Sequence, residues 1–227
     1  MKYLLFDLDE TLLDFHKAEA WALRQALSSV GITPDDNMVS RYSVINQTQW
    51  ELLEEGKLTR QQVLVRRFEL LFQEMGIEAS SRETQDCYER MLAKGHDFMP
   101  SAPELLEALY GSYRLYLVSN GTAMVQDCRL RDSGIAHYFQ DIFISERIGA
   151  DKPKKEFFDR CFARIPGFDR AQAMIIGDSL TSDIRGGNNA GIQTCWFNPK
   201  HKPRRPDIHV DYEIDALMEL PQLLKTL

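Results

Sequence analysis

Two aspartates one residue apart, Asp7 and Asp9, follow an apolar run near the start of the chain. The run, Tyr3–Phe6, is typical of a buried strand, so both carboxylates are expected where that strand ends. Like charges this close disfavour each other's ionised form unless something positive lies between them. A divalent cation with hard oxygen ligands meets that need. One carboxylate is then free to attack an electrophile and the other to move a proton.

Three further polar segments come directly after predicted strands. A hydroxyl, an amide and a permissive glycine backbone suit a phosphate oxygen, and a lysine ammonium can neutralise a phosphate and a carboxylate together. The carboxyl ends of parallel strands are where open α/β sheets bind ligands. Each segment alone also fits an ordinary turn or helix start. The segments are Ser119-Asn120-Gly121 after strand 114–118, Lys152-Pro153 after strand 142–144, and Gly177-Asp178 through Asp183 after strand 173–176.

The elements between these segments divide the chain into two regions. From residue 16 to about 97 helix follows helix, with Thr33 predicted to cap the second and a Thr59/Gln62 capping box predicted for the third. After residue 100 short apolar strands alternate with helices, which indicates a parallel α/β sheet covered by helices on both faces. We therefore expect a core domain of residues 1–14 and 101–227, with a helical domain of residues 15–100 inserted after the first strand.

Composition narrows the function classes. The chain has 227 residues, 44% of them hydrophobic, and a net charge of −7, which argues against nucleic-acid binding. The four cysteines form no CxxC pair, which fits a reducing compartment. No apolar run has the length of a signal-peptide core or a membrane span. We expect a cytoplasmic protein, a monomer or small homo-oligomer, without nucleic-acid or membrane partners.

Two other stretches have competing interpretations. The basic, proline-containing stretch at residues 200–206 is expected to be a solvated loop, with a substrate-side loop as the alternative. The glycine-rich run at residues 186–191 lacks the Gly-Lys-Ser/Thr of a P-loop and lies at a predicted helix end. A helix C-cap is the favoured interpretation of this run.

Taken together, the four polar segments in this order resemble the haloacid dehalogenase-like (HAD) hydrolase superfamily over essentially the whole chain. The resemblance implies a Rossmann-like parallel sheet of strand order 5-4-1-2-3, with a helical cap domain inserted after the first strand. This order would place the ends of strands one, two and four side by side. Asp7, Ser119 and Asp178 would then meet at one edge of the sheet.

The resemblance also implies roles for individual residues. Asp7 would attack phosphorus to form an aspartyl-phosphate, and Asp9 would protonate the leaving alkoxide and then activate water. Mg²⁺, or Mn²⁺ or Co²⁺ in its place, would be held by the Asp7 carboxylate, the Asp9 backbone carbonyl and Asp178. The phosphoryl oxygens would be held by Ser119, Lys152 and the backbone around Asn120 and Gly121, with Thr11 and Asp183 in support.

Asp9 distinguishes among branches of the superfamily. Dehalogenase members lack an acid at this place, because a halide needs no proton, and phosphonatase members have a small residue there. Phosphomutase members keep the aspartate but usually follow it with glycine, where this chain has Glu10. Phosphate ester hydrolysis is therefore favoured, with a phosphomutase and a non-catalytic binding module as alternatives. A sugar-phosphate phosphatase would share this chemistry and is the alternative for the substrate.

The helical region carries a further resemblance. Its frame Asn-x3-Trp-x5-Gly-x2-Thr-x7-Arg-Phe, from Asn46 to Phe68, is similar to that of bacterial pyrimidine 5′-nucleotidases. The implied substrate is a small phosphate ester, a nucleoside monophosphate, with Asn46 and Trp50 as candidate contacts. Trp21, Tyr42 and Trp50 are candidates for stacking on a base, although aromatic residues at helical spacing more often pack in a core.

Overall fold

A parallel sheet of six strands forms the centre of the molecule in the computed structural model, which describes all 227 residues. The strand order is β3-β2-β1-β4-β5-β6, so the first strand of the chain lies in the middle. Its Leu5 pairs with Tyr116 on one side and with Ile175 on the other. The strands are β1 Tyr3–Phe6, β2 Arg114–Ser119, β3 Asp141–Ile144, β4 Ala173–Gly177, β5 Gln193–Phe197 and β6 Tyr212–Ile214.

The predicted order of the first five strands is confirmed, and a sixth strand extends it. The sequence prediction missed β6 because it has only three residues and carries the polar Glu213 at its centre. Glu213 accepts hydrogen bonds from Asn198 (2.7 Å) and Arg204 (2.8 Å). A polar residue on a short edge strand resembles a loop in sequence, because an edge needs no continuous apolar pattern.

Alternate residues of the strands supply two apolar clusters, one on each face of the sheet. Leu4 and Phe6 belong to one cluster, and Tyr3 and Leu5 to the other. Each fully buried side chain of this size stabilises the fold by about 1.5–3 kcal/mol. The helices of the core are α5 Ala102–Leu109, α6 Ala123–Ser133, α7 Ser145–Ile148, α8 Lys155–Phe162, α9 Arg185–Ala190 and α10 Leu220–Leu224.

Four helices between β1 and α5 form a separate bundle, called here the four-helix unit. They supply 13 of the 14 buried residues of an apolar cluster, and Val125 of α6 supplies the other. Ala18, Ala22 and Ala26 recur every fourth position on the first helix, so small side chains line the face that packs inward. No helix of the structure is both long and apolar enough to cross a membrane. The helices of the unit are α1 Phe15–Ser29, α2 Asp36–Glu54, α3 Arg60–Met75 and α4 Ser81–Leu92.

Capping side chains define where two of these helices begin. The predicted capping box of Thr59 and Gln62 is confirmed, with the Thr59 N–H donating to Gln62 Oε1 at 2.8 Å. The predicted cap of α2 is wrong, because Asp35 rather than Thr33 caps it, accepting from the Met38 N–H at 2.7 Å. A carboxylate at the N-cap also interacts favourably with the helix dipole, which explains the later start.

The chain enters and leaves the four-helix unit at one place. The Asp14 N–H donates to the Asp97 carbonyl at 2.9 Å, and the Met99 N–H donates to the Leu12 carbonyl at 3.0 Å. The two connecting segments therefore run side by side as a short antiparallel pair. Two adjacent crossings of this kind can act as a hinge that allows one body to rotate against the other.

Candidate active site

The ammonium group of Lys152 lies at the centre of the polar cluster at the carboxyl edge of the sheet. Its Nζ donates to Asp7 Oδ1 at 2.6 Å, to Asp183 Oδ1 at 2.7 Å and to the Val118 carbonyl at 2.8 Å. The Lys152 side chain is only 1% exposed. Parallel strands β1, β2 and β4 are neighbours, so the segments that follow them meet here. One buried cation thus compensates two buried carboxylates.

The side-chain amide of Asn120 fixes the loop that carries Lys152. Asn120 Oδ1 accepts from the Lys152 N–H at 2.9 Å, and Asn120 Nδ2 donates to the Lys152 carbonyl at 3.0 Å. The amide is therefore committed to joining two loops, which leaves the backbone at this position for a phosphate. Ser119 Oγ accepts from Gln126 Nε2 at 2.9 Å, so its own hydroxyl proton remains available to a ligand.

Burial raises the pKa values of the carboxylates at this site. Burial, reinforced by repulsion from Asp183 and opposed by Lys152, raises the pKa of Asp7 to about 7. Burial likewise raises the pKa of Asp178 to about 6, although Lys202 at 3.2 Å opposes the shift. Burial lowers the pKa of Lys152, but Asp183 and Asp7 together raise it above its ordinary value. The cluster holds more negative than positive charge, and this favours binding of a further cation.

The donor atoms fit a hard divalent cation. Carboxylate oxygens of Asp7, Asp178 and Asp183 lie within 4.8 Å of one another. Oxygen ligands of this kind are those that Mg²⁺ prefers. Asp183 Oδ2 also accepts from the Ser179 N–H at 3.1 Å, and its Oδ1 accepts from Lys152, so it is more fully hydrogen-bonded within the protein than Asp178. Thr11 Oγ1 donates to Asp7 Oδ2 at 3.3 Å.

Two side chains that the sequence prediction missed hold the carboxylate of Asp9. Gln126 Nε2 donates to Asp9 Oδ2 at 2.8 Å, and Arg129 Nη1 donates to Asp9 Oδ1. Arg129 is fully buried and also donates from Nε to the Gly95 carbonyl at 2.7 Å. Both residues lie three apart on α6, among its buried positions. In sequence they are only a polar pair at i, i+3 on one helix face, and nothing there marks them as buried.

A cavity of about 190 Å³ lies between the carboxyl edge of the sheet and the four-helix unit. The polar end is formed by the groups described above. The opposite wall comes from the helices of the four-helix unit, and mixes apolar with charged side chains. That wall includes Phe15, Trp50, Glu54, Leu64, Arg67, Glu89 and Leu92.

The candidate substrate residues of the helical region occupy different places. Trp50 is half-buried and lines the cavity, whereas Tyr42 is fully buried against Phe68 with ring centroids 5.0 Å apart. Trp21 is 42% exposed and does not line the cavity. Tyr42 therefore packs in the core of the unit, and Trp50 is the one of the three that can contact a ligand.

Asn46 lies inside the four-helix unit rather than in the wall of this cavity. Its Nδ2 donates to Glu19 Oε1 at 2.6 Å, and its Oδ1 accepts from Arg67 Nη1 at 2.8 Å. The Arg67 guanidinium lies 4.7 Å from the Tyr88 ring centroid. Asn46 is buried and forms part of a network that satisfies a buried arginine, although it also borders an adjoining groove.

The basic stretch at residues 200–206 reaches the site. Lys202 Nζ donates to Asp178 Oδ2 at 3.2 Å, and Lys200 Nζ donates to Glu10 Oε2 at 3.1 Å. All five remaining residues of the stretch are exposed, so most of it is solvated as expected. Its lysines nevertheless place positive charge beside an acidic site, and this supports the alternative of a substrate-side loop.

Gly177 allows Asp183 to approach the sheet. A Cβ at Gly177 would lie 2.3 Å from Asp183 Cγ. Gly177→Ala is therefore expected to move Asp183 away from Lys152 and to lower kcat/KM about 100-fold, an effect typical of displaced catalytic groups. Gly187→Ala is the control, because its Cβ would meet Thr194 at 2.6 Å within the core. Similar losses of Tm with similar losses of kcat/KM in both variants would contradict a role for Asp183 in the site.

Glu54 gives the folded protein a pH-dependent stability. Burial raises its pKa from 4.5 to about 7. The folded state therefore holds this proton more tightly than the unfolded state, and stability decreases as pH rises from about 4.5 to about 7. Glu54→Gln is expected to raise Tm at pH 8 and to change it little at pH 4.5, measured by calorimetry in EDTA. Glu55→Gln, at an exposed neighbour paired with Lys57, should give no such increase.

Comparisons with known proteins show the family to which the chain belongs. A family model described as haloacid dehalogenase-like hydrolase matches residues 1–191. The HAD-hydrolase YfnB of Bacillus subtilis is 46% identical over 221 residues, covering 97% of this chain and 94% of that protein. Its crystal structure, bound to magnesium, reveals interdomain movement and superimposes with a TM-score of 0.94, covering 98% of both chains.

Two further relatives have names that state a substrate class. The pyrimidine 5′-nucleotidase PynA of Streptococcus pneumoniae is 38% identical over 220 residues, covering 96% of this chain and 93% of that protein. The pyrimidine 5′-nucleotidase YjjG of Escherichia coli is 31% identical over 222 residues, covering 98% and 97%. Both the matched family model and these near full-length relatives identify the chain as a member of the haloacid dehalogenase-like hydrolase family.

Proposed function

We propose that this hydrolase is a Mg²⁺-dependent phosphatase that acts through an aspartyl-phosphate, and specifically a pyrimidine 5′-nucleotidase. The observation that carries the chemistry is the arrangement around Asp7. Its carboxylate is held by Lys152 at 2.6 Å, while Asp9, two residues away, is held separately by Gln126 and Arg129. Two carboxylates with different partners can perform two different tasks.

In the first half-reaction Asp7 attacks phosphorus, and the bond from phosphorus to the leaving oxygen breaks. Asp9 gives its proton to that oxygen, which leaves as an alcohol. Ser119 Oγ donates to one phosphoryl oxygen, and Lys152 Nζ exchanges its hydrogen bond to Asp7 for one to another, which holds the phosphoryl group in line with the attack. In the second half-reaction Asp9 takes a proton from water, which attacks phosphorus and releases Asp7 with inorganic phosphate.

We assign the cation to Asp7, Asp178 and the Asp9 backbone carbonyl, with Mn²⁺ and Co²⁺ as alternatives to Mg²⁺ in vitro. The bound cation would neutralise the charge of the phosphoryl group. Asp183, hydrogen-bonded to Lys152 and the Ser179 N–H, would position the lysine. Thr11 would hold the second oxygen of Asp7.

The wall opposite the carboxylates supports the substrate class. Trp50, Phe15 and Leu64 offer apolar surface for a flat base, and the cavity continues to the phosphate end. The names of PynA and YjjG point to a pyrimidine nucleotide as the substrate. We propose that residues 15–100 act as a cap domain that excludes water and contacts the nucleoside.

A sugar-phosphate phosphatase is the second candidate, because the charged cap residues Glu54 and Arg67 also line the cavity and could bind hydroxyl groups.

A phosphomutase would need an aspartyl-phosphate that persists while one sugar phosphate leaves the site and another binds. Glu10 adopts a left-handed backbone conformation with φ 61° and accepts a hydrogen bond from the His16 N–H at 2.9 Å. Glycine, which usually follows the aspartate in phosphomutases, adopts this conformation without strain. The glutamate at this position therefore differs from the usual mutase pattern.

The test is phosphate release from a panel of nucleoside monophosphates and sugar phosphates, with Mg²⁺ and with EDTA. EDTA-sensitive release that is fastest on UMP, dUMP or dTMP supports the proposal. Faster release from a sugar phosphate would keep the phosphatase chemistry and reject the substrate class. Exchange of sugar-phosphate isomers without net phosphate release would favour a mutase.

A further inference from the structure

Arg60 extends from the four-helix unit to the loops of the core. It is the first residue of α3, and its side chain is 14% exposed. Its Nη1 donates to the Gly121 carbonyl, and its Nη2 donates to Ser145 Oγ and to Asp151 Oδ1. One guanidinium therefore joins the unit to three separate segments of the core by charge-assisted hydrogen bonds.

Two of these partners are adjacent to residues that hold the phosphate. Gly121 follows Asn120, and Asp151 precedes Lys152. The Asn120 amide already pairs with both backbone groups of Lys152, and the Gly121 N–H donates to Ser145 Oγ at 3.3 Å. Arg60 thus completes a network that joins the loop of Asn120 and Gly121 to the loop of Asp151 and Lys152. A shift of either loop is transmitted to the other.

Arg60 also lies beside the wall proposed to contact the base. Its guanidinium carbon is 5.9 Å from the ring centroid of Trp50, which lines the cavity. A ligand that stacks on Trp50 restricts that ring, and the ring in turn restricts the guanidinium. The same side chain therefore contacts the wall on one side and the phosphate-binding loops on the other.

We propose that Arg60 is a positioning residue that couples filling of the cavity to placement of the Lys152 loop. This inference rests on the proposed phosphatase chemistry and deepens it. Binding energy from the part of the substrate that does not react is used to set the geometry around phosphorus. A small phosphate ester that leaves the wall uncovered gains less from this coupling than a nucleotide does.

The coupling predicts unequal losses on two substrates. Arg60→Ala should lower kcat/KM about 100-fold on UMP, since misplaced groups of this kind cost about that much, and less than about 10-fold on acetyl phosphate, which has no ring to cover the wall. Arg60→Lys, which keeps the charge, should recover part of the loss on UMP. Arg41→Ala is the control, because Arg41 pairs with Glu74 inside the unit at 2.8 and 2.9 Å and should leave both rates unchanged.

Equal losses of kcat/KM on both substrates, or no loss on either, would overturn the inference. A second measurement uses small-angle X-ray scattering to follow the position of the four-helix unit relative to the core. It is made with the Asp7→Asn variant, which is expected not to hydrolyse UMP. Addition of Mg²⁺ and UMP should reduce the radius of gyration, and the further change Arg60→Ala should abolish that reduction. A reduction that survives Arg60→Ala would also overturn the inference.

Failure of the proposed substrate class would be recognised separately. If the wild-type protein turns over a sugar phosphate faster than UMP, the nucleotidase proposal is rejected, but the proposed role of Arg60 is not. The kinetic and scattering comparisons are then made with that sugar phosphate in place of UMP, and the same outcomes support or overturn the role of Arg60.

Discussion

Asp7→Asn is expected to abolish turnover of every phosphate ester while leaving the fold intact. An amide is too weak a nucleophile to attack phosphorus, and removal of a nucleophile of this kind costs about 10⁴-fold or more in kcat. The substitution keeps the size of the side chain, which is only 6% exposed. Steady-state phosphate release with Mg²⁺ measures the loss, and circular dichroism measures the fold.

The thermal stability of Asp7→Asn is a second test of whether Asp7 has a catalytic rather than a structural role. Because the pKa of Asp7 is raised from 3.8 to about 7 in the folded state, its ionisation destabilises the fold as pH increases through that range. In EDTA at pH 8 the variant should therefore melt no lower than the wild type. Activity comparable to the wild type would reject Asp7 as nucleophile, and a large decrease in Tm would show that the carboxylate supports the structure.

Asp9→Asn is expected to lose far more rate on nucleotides than on p-nitrophenyl phosphate. A nucleoside alkoxide must be protonated as it leaves, whereas p-nitrophenolate needs little protonation. General acid catalysis contributes about 10²- to 10⁴-fold, so the loss on UMP should lie in that range. The loss on p-nitrophenyl phosphate should be at least about tenfold smaller, measured as kcat/KM at one pH.

A matched control for Asp9 is available on the same loop. Thr11→Val removes the hydroxyl that donates to Asp7 at 3.3 Å without changing Asp9. Its effect should be small and equal on the two substrates, since it touches the attacking group rather than the proton donor. Equal losses on the two substrates in Asp9→Asn itself would count against Asp9 as the general acid.

The sheet and the residues at its carboxyl edge could be predicted because each was encoded locally. Short apolar runs marked the strands, and the polar residues after Phe6, Val118 and Ile176 were contiguous with them. The Thr59 capping box was predicted for the same reason, since its two partners are three residues apart. Strand order came from the family resemblance, and the observed pairing agrees with it.

The rest depended on contacts between residues far apart in the chain. Arg129 and Asp9 lie on different elements, and Arg60 meets Asp151 only because the four-helix unit lies against the core. A polar residue on a helix does not indicate in sequence whether it meets solvent or a distant carboxylate. For the same reason Asn46, singled out as a substrate contact, is placed in an internal network by contacts with Glu19 and Arg67 that sequence could not show.

The central position of β1 has a consequence for the order in which the molecule folds. Leu5 pairs with Tyr116 and Ile175, both far downstream, so this strand must wait for partners that are synthesised much later. Closing so long a loop is entropically costly and slows folding. The four-helix unit, whose helices all lie between residues 15 and 92, can form first and bring residues 12–14 beside 97–99, shortening the loop that remains. The inserted helices would then act as a folding scaffold for the strand that carries Asp7.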